Sequence, residues 1–241
     1  MRRIARSPAD LKIRAVRGWP ARHGAEAPHL ALTAAERAEL ARLAEVIEYR
    51  SRGSQIFLQG APAGFIHLLA EGVVRSYHML PNGERQILAF HWPGDLFGLA
   101  ENDRFVNSAE TVLPSVVYRF AVPRLSAFLR ANPALQEGFL VKAMHDLRNT
   151  QRQLIVMGRF DIARRLAAFL LDCSGHETYY NPGKHLLTLP MNRYDIADYL
   201  GTSVESISRS FGRLEKDGLL RRQGAEVELK PAKLKALVYR T

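Results

Sequence analysis

Residues Met191–Gly218, MNRYDIADYLGTSVESISRSFGRLEKDG, decide how this chain is read. Ile196, Ala197 and Leu200 fall on one helical face, and Gly201 follows them directly, where a helix ends best on a residue free to take positive φ. Thr202 or Ser203 can then cap a second helix, with Glu205 in its first turn beside the positive end of the helix dipole. Val204, Ile207, Phe211 and Leu214 repeat at i, i+3, i+7 and i+10, an apolar stripe of helical period. The spacing predicts two short helices joined by a tight turn.

The second helix turns Glu205, Ser208 and Arg209 outward, with Arg213 one turn further along the same side. Arginine forks onto guanine O6 and N7, a carboxylate accepts from cytosine N4, and serine adapts to either. A recognition helix carries such groups in its N-terminal turns. The same residues also describe an amphipathic hairpin with a solvated face, because Glu and Arg four apart are common on exposed helices. Residue order separates the two. DIADYLG (195–201), VESISR (204–209) and LEKDGLL (214–220) resemble, nearly residue by residue, the helix-turn-helix of the Crp/Fnr family of bacterial transcription regulators, in its Fnr/FixK-like branch.

That resemblance implies that Glu205, Ser208 and Arg209 read a TTGA-type half-site in double-stranded DNA, one copy from each subunit of a homodimer. Beyond the helices, Leu219-Leu220-Arg221, a turn through Arg222-Gln223-Gly224, and Val227-Glu228-Leu229 alternate like a small hairpin. This is the expected wing, with Leu186–Leu189 as its partner strand. Arg213, Lys216, Arg221 and Arg222 are candidate phosphate contacts, which position a helix without reading sequence. Thr202, Ser203 and Ser206 complete the candidate backbone contacts.

A chain of 241 residues suits two modest domains. No apolar run is long enough to cross a bilayer, and no apolar segment follows the N-terminal arginines, so a cytoplasmic protein without a membrane partner is expected. The single cysteine, Cys173, has no internal disulfide partner. The formal charge of +10 is unevenly spread: residues 1–30 hold seven Lys and Arg against two Asp and Glu, half of the whole excess. Those residues, with Arg2, Arg3, Arg6, Lys12, Arg14, Arg17 and Arg22 among Ala, Pro and Gly, read as a disordered basic tail. The case for DNA therefore rests on the motif and not on net charge.

Upstream the texture changes. Gly60, Gly72, Gly83 and Gly94 recur at intervals of 12, 11 and 11, between the apolar runs Phe65–Leu69, Val73–Leu80 and Ile87–Trp92. With turn signals at Pro81-Asn82-Gly83 and Trp92-Pro93-Gly94-Asp95, this argues an antiparallel sandwich or roll. GERQILAFHWPGDLFG (83–98) also resembles the Fnr-like branch, whose fold places a cyclic-nucleotide-binding-like β-roll, or jelly roll, here. From Pro133 a long helix runs to Met157 or Gly158, and Leu140, Ala143, Leu147, Thr150, Leu154 and Met157 step by threes and fours like a heptad seam. Such a seam packs either on its own domain or on a second copy; the resemblance implies the dimer. Gly158 and Asp161 suggest a break and a new N-cap, with Ile162–Leu171 opening the last domain. The expected plan is α+β: a tail over 1–30, a β-roll over 31–132, a dimerisation helix over 133–158 and a winged helix-turn-helix over 160–241.

Cyclic-AMP-binding relatives use a Glu after the Gly-Asp turn and an Arg-Ser pair further on; here those places read Leu99 and Asn107-Ser108. A cyclic phosphate without its arginine loses its strongest charge-assisted hydrogen bonds, so cyclic AMP is not expected. An iron–sulfur cluster is excluded by thiol count, with Tyr118 or a neighbour at the place of the family's distant cysteine. Haem is the alternative cofactor, with His67, His78, His91 and His145 as candidate ligands, though no C-x-x-C-H attachment site exists. The cupin-like enzyme reading fails for want of a His-x-His cluster, and there is no phosphate loop or nucleophile elbow. The chain is expected to be a regulator, an activator by family analogy, that contacts RNA polymerase.

Overall fold

A computed structural model describes residues 11–14, 32–98, 100–224 and 226–239 of the chain. Two compact units result, Met1–Leu147 and Arg148–Thr241.

The first unit opens with α1 (Ala34–Leu43), β1 (Ala44–Tyr49) and β2 (Gln55–Phe57). The three apolar runs form β3 (Phe65–Glu71), β4 (Val74–Met79) and β5 (Arg85–His91). Short strands β6 (Leu96–Phe97), β7 (Ala100–Glu101) and β8 (Arg104–Phe105) lead into β9 (Ser108–Thr111) and β10 (Ser115–Ala121). Then come α2 (Val122–Ala131) and the 27-residue α3 (Pro133–Arg159). Two antiparallel sheets, ordered β1-β10-β3-β6 and β2-β9-β4-β5, make the expected β-roll.

Strand alternation divides the apolar residues between two cores. On β3 and β10, Leu69 and Val117 join Phe57, Val74, Phe97, Phe105 and Ala109 between the sheets. Leu68, Tyr118 and Phe120 face the other way, against Leu40 of α1, Leu125 and Phe128 of α2, and Leu135 at the start of α3. Tyr118, at the place compared with a cluster cysteine, is thus a core residue.

The second unit begins inside α3 and continues with α4 (Ile162–Cys173), β11 (Tyr180–Asn181) and β12 (Leu186–Thr188). After α5 (Arg193–Leu200) and α6 (Val204–Lys216), a hairpin of β13 (Leu220–Gln223) and β14 (Glu226–Leu229) precedes α7 (Pro231–Val238). The sheet order β11-β12-β14-β13 puts the expected partner strand beside the wing, with Leu187 opposite Val227. The first wing strand runs two residues further than the sequence suggests: Arg222 and Gln223 pair with Val227 and Glu226, leaving Gly224 at the bend.

Three expectations change. Gly158 does not break its helix; α3 runs to Arg159 and the break falls at Phe160, before the Asp161 N-cap accepts from the Arg164 N–H at 2.8 Å. The division between units lies at Leu147/Arg148 and not near Phe160, because the last turns of α3 pack with the second unit: Val156 is buried and Arg152 Nη2 donates to Asp172 at 3.0 Å. The third change concerns the tail. Leu11 and Ile13 are buried in the helix-side core, and the Arg14 N–H donates to the Gly94 carbonyl at 2.8 Å. The Arg14 guanidinium also donates to the Pro93 carbonyl and lies 3.8 Å from Asp95. Period-two alternation over four residues turns Leu11 and Ile13 inward and leaves Lys12 in solvent, while Arg14 reaches onto the Pro93–Asp95 turn, enough to add a strap to a sheet domain. Residues 1–10 and 15–30 of the expected tail lie outside the described residues.

Leu11→Ala should therefore destabilise the first unit by roughly 2–4 kcal/mol, the cost of a cavity in a closed core. Denaturant unfolding of the full chain checks this; a tail that contributed nothing would leave the midpoint unchanged.

Candidate nucleic-acid interface

Three helices hold the reading surface, and α5 and α6 are set against each other by a sharp turn. Asn192 caps α5, accepting from the Asp195 N–H at 2.9 Å, while Asp195 returns a bond to the Asn192 N–H in a capping box. Gly201 ends the helix in the left-handed region at φ 62° and ψ 50°, a conformation other residues adopt only under strain. Ser203, not Thr202, then caps α6, its hydroxyl accepting from the Ser206 N–H at 3.2 Å. Ile207, Phe211 and Leu214 are fully buried, and Val204, at the start of the stripe, is half-buried. Burying three such side chains stabilises the docking of α6 by several kcal/mol, about 1.5–3 each.

Burial of that stripe forces the opposite side of α6 outward. Glu205, Ser208 and Arg209, at i, i+3 and i+4, are all exposed. Arg209 Nη2 donates to Ser206 Oγ at 3.0 Å, which draws the guanidinium back along its own helix. The Glu205 carboxyl is held below the ordinary range by its own backbone N–H, then by Ser203, with Arg209 adding attraction. The face thus presents an ionised acceptor beside a forked donor.

The candidate phosphate contacts are less alike than the sequence suggests. Arg213 and Lys216 are exposed, and among the described residues the carboxylates near Arg213 are distant, Asp217 at 3.9 Å and Asp161 at 4.0 Å. Arg221 donates to Glu228, which Lys230 also contacts. Arg222 is bound more closely: its backbone N–H and its guanidinium both donate to Glu215. Thr202 and Ser206 are half-buried, and Ser203 is exposed.

Two positioning residues escape a reading by motif. Arg165, on α4, donates through Nη1 to the Leu200 carbonyl at 3.1 Å, holding the last turn of α5 just before Gly201. Arg193 places its guanidinium 3.4 Å from the centroid of the Phe211 ring. Both look like ordinary surface arginines in sequence; no periodic signal marks a side chain that reaches across to another helix. Cys173 is buried at the end of α4, away from solvent.

Along its length, α3 exposes Leu140, Ala143, Leu147, Thr150 and Leu154, while Met157 is half-buried. Val141, Met144 and Ile155 are exposed as well, so the apolar face is broader than the sixfold seam and rotates away from Met157. Of the histidines, His67 is buried between the sheets, with ring centroids of Phe57 and Phe97 at 5.1 and 5.3 Å. His91 lies 2.7 Å from Ser76 Oγ, His78 is at a half-buried position near the Val106 carbonyl, and His145 is on α3. No group of three metal-ligating side chains forms among the described residues. Ser108 is buried and its hydroxyl accepts from the Gln59 N–H at 3.0 Å; Leu99 lies outside the described residues. No helix among the described residues is long and apolar enough to cross a membrane.

Comparison with known proteins agrees with this geometry in both units. A family model described as a Crp-like helix-turn-helix domain matches residues 164–237, and one described as a cyclic nucleotide-binding domain matches residues 47–132. The nitrogen fixation regulation protein FixK of Bradyrhizobium diazoefficiens is 32% identical over 207 residues, covering 86% of this chain and 87% of that protein. The transcriptional activatory protein AadR of Rhodopseudomonas palustris is 32% identical over 186 residues, 77% of each. Among solved structures, FixK2 from Bradyrhizobium japonicum superposes with a TM-score of 0.73 at 29% identity, covering 82% of this chain and 98% of that one.

The buried imidazole should make stability depend on pH. Burial, with repulsion from Arg119 second, pushes His67 from its ordinary 6.5 down to about 4. The unfolded chain therefore takes up this proton first, and stability present at neutral pH is lost as pH falls from about 6.5 towards 4. Denaturant midpoints measured across that window should decline by an amount equivalent to a few kcal/mol, about 1.4 kcal/mol for each tenfold difference in proton affinity between folded and unfolded chain. His67→Phe, which cannot titrate, should flatten this part of the decline.

Proposed function

This chain belongs to the Crp/Fnr family of transcription regulators, a DNA-binding protein and not an enzyme, and we propose that it acts as a homodimeric activator on TTGA-type palindromes. The observation that carries this is the α6 face: Glu205, Ser208 and Arg209 exposed together over a fully buried Ile207-Phe211-Leu214 stripe. A forked donor and an ionised acceptor one turn apart suit guanine and cytosine edges in the major groove. Arg213, Lys216, Arg221 and Arg222, with Thr202, Ser203 and Ser206, would hold the phosphates that set the register.

The exposed apolar face of α3 supports the dimer. Leu140, Leu147 and Leu154 are each more than half exposed in the single chain. A leucine row left in water on a 27-residue helix is what a two-stranded seam buries. Two copies would set their recognition helices about one DNA turn, roughly 34 Å, apart, so that a palindrome is read twice. Activation would add a contact with RNA polymerase; a relative described as an activatory protein supports this sign. A cytoplasmic site follows from the DNA partner.

The β-roll residues do not fit a cyclic phosphate. Asn107 supplies no cation, and the buried Ser108 hydroxyl already accepts from Gln59. We therefore read this member of the Fnr/FixK-like branch as working without cyclic AMP and without a resident iron–sulfur cluster. Any signal would act by shifting the population of dimers whose helices fit the half-site spacing.

A gel shift on a TTGA palindrome against scrambled DNA tests the reading; equal affinity for both would sink it. Arg209→Ala should cost roughly 1–3 kcal/mol per half-site on the palindrome and relax preference at the guanine, with thermal unfolding unchanged. Leu147→Glu should leave each unit folded but yield monomers in sedimentation experiments, with loss of palindrome binding. Dimers of undiminished stability would place the seam elsewhere.

A further inference from the structure

The wing is tied to the recognition helix by one carboxylate. Glu215 lies in the last turn of α6, and through three hydrogen bonds it holds a single residue of β13. Its Oε1 accepts from the Arg222 backbone N–H at 2.9 Å, and its Oε2 accepts from Arg222 Nε at 2.8 Å and Nη2 at 2.6 Å. A guanidinium carries five N–H donors in a rigid plane. The carboxylate takes two, along the Nε/Nη2 edge, and among the described residues none accepts from the other three, on a side chain that is 44% exposed. A surface arginine without such a partner samples many rotamers; one with an edge pinned presents the other edge in a single direction.

The surroundings favour an anion at that open edge. Arg193, stacked on Phe211 one helical turn before Glu215, has its ionisation pushed down by burial first and by the positive charge of Arg222 second. Two guanidinium groups thus lie within electrostatic reach of each other beside the C-terminal half of the recognition helix. A DNA phosphate would be the matching counter-charge.

We propose that Glu215 is a positioning residue for DNA binding: it orients Arg222 so that the free edge of the guanidinium meets a backbone phosphate of double-stranded DNA at the wing. This rests on the DNA-binding reading above. It runs against the simple charge expectation, in which removing a carboxylate near DNA raises affinity. Glu215 spends negative charge to gain geometry, and the gain is the larger.

Glu215→Gln separates the two roles, because the amide oxygen still accepts from the backbone N–H while the guanidinium clamp is lost. Binding is measured by fluorescence anisotropy on a TTGA palindrome and on a scrambled duplex, across a salt series. E215Q should weaken binding to both duplexes alike, by roughly three- to tenfold, as expected for a phosphate contact that reads no bases. The slope of log affinity against log salt should fall by about 0.9 for each phosphate that Arg222 no longer neutralises. R222A should do the same, and adding E215Q to R222A should produce no further loss. The proposal is overturned if E215Q binds as tightly as the parent or more tightly, if R222A leaves binding unchanged, or if E215Q weakens binding equally in the R222A background. Failure of the parent chain to bind either duplex would instead remove the DNA-binding reading itself.

Discussion

The left-handed backbone at Gly201 is the constraint on which the second unit depends. It lets α5 stop after Leu200 and α6 start two residues later at a Ser203 cap, with Arg165 holding the Leu200 carbonyl from α4. With that turn set, the stripe Ile207-Phe211-Leu214 can reach the core, and its burial rotates α6 so that Glu205, Ser208 and Arg209 face water. The exposed ion pairs around the interface adjust within this frame. Packing of three large apolar side chains contributes more than surface pairs of that kind do.

Charge in the interface is managed by carboxylates as much as by arginines. Glu215 and Glu228 each bind an arginine of β13, and Glu205 stands ionised beside Arg209. Counting basic residues would treat Arg213, Arg221 and Arg222 as equivalent phosphate contacts. The geometry ranks them: Arg213 is loosely tethered, Arg221 shares its acceptor with Lys230, and Arg222 is clamped through side chain and backbone. A net charge of +10 predicts attraction to DNA but says nothing of this order.

The interior of the β-roll in the first unit is filled by a cluster of aromatic rings. Phe57, Phe97 and Phe105 surround His67, and the rings of Phe57 and Phe105 stack at 3.9 Å. A Cβ at Gly98, which sits at φ +83°, would come within 2.7 Å of the imidazole Nδ1, so glycine is required there both by conformation and by space. The strap at Leu11–Arg14 closes the helix-side core and grips the Pro93–Asp95 turn, which leads into β6 and this cluster.

The helix pair, the wing, the strands between the recurring glycines and the long α3 are all legible in the sequence, because each rests on a period of 2 or 3.6 residues or on a turn-forming residue, and such signals are local. The outward set on α6 is legible for the same reason: once the apolar stripe is read, the remaining positions must face away. The strap is hidden, since four alternating residues vanish in a composition averaged over thirty. The end of α3 is not marked by Gly158, because one glycine costs a helix only about 1 kcal/mol relative to alanine and the helix runs through it to Arg159. Arg165 at a distant carbonyl, Arg193 over Phe211 and Glu215 across to Arg222 belong to the tertiary structure alone. Each joins side chains from different elements, and no local periodicity encodes how far a long charged side chain must reach, or what it meets there.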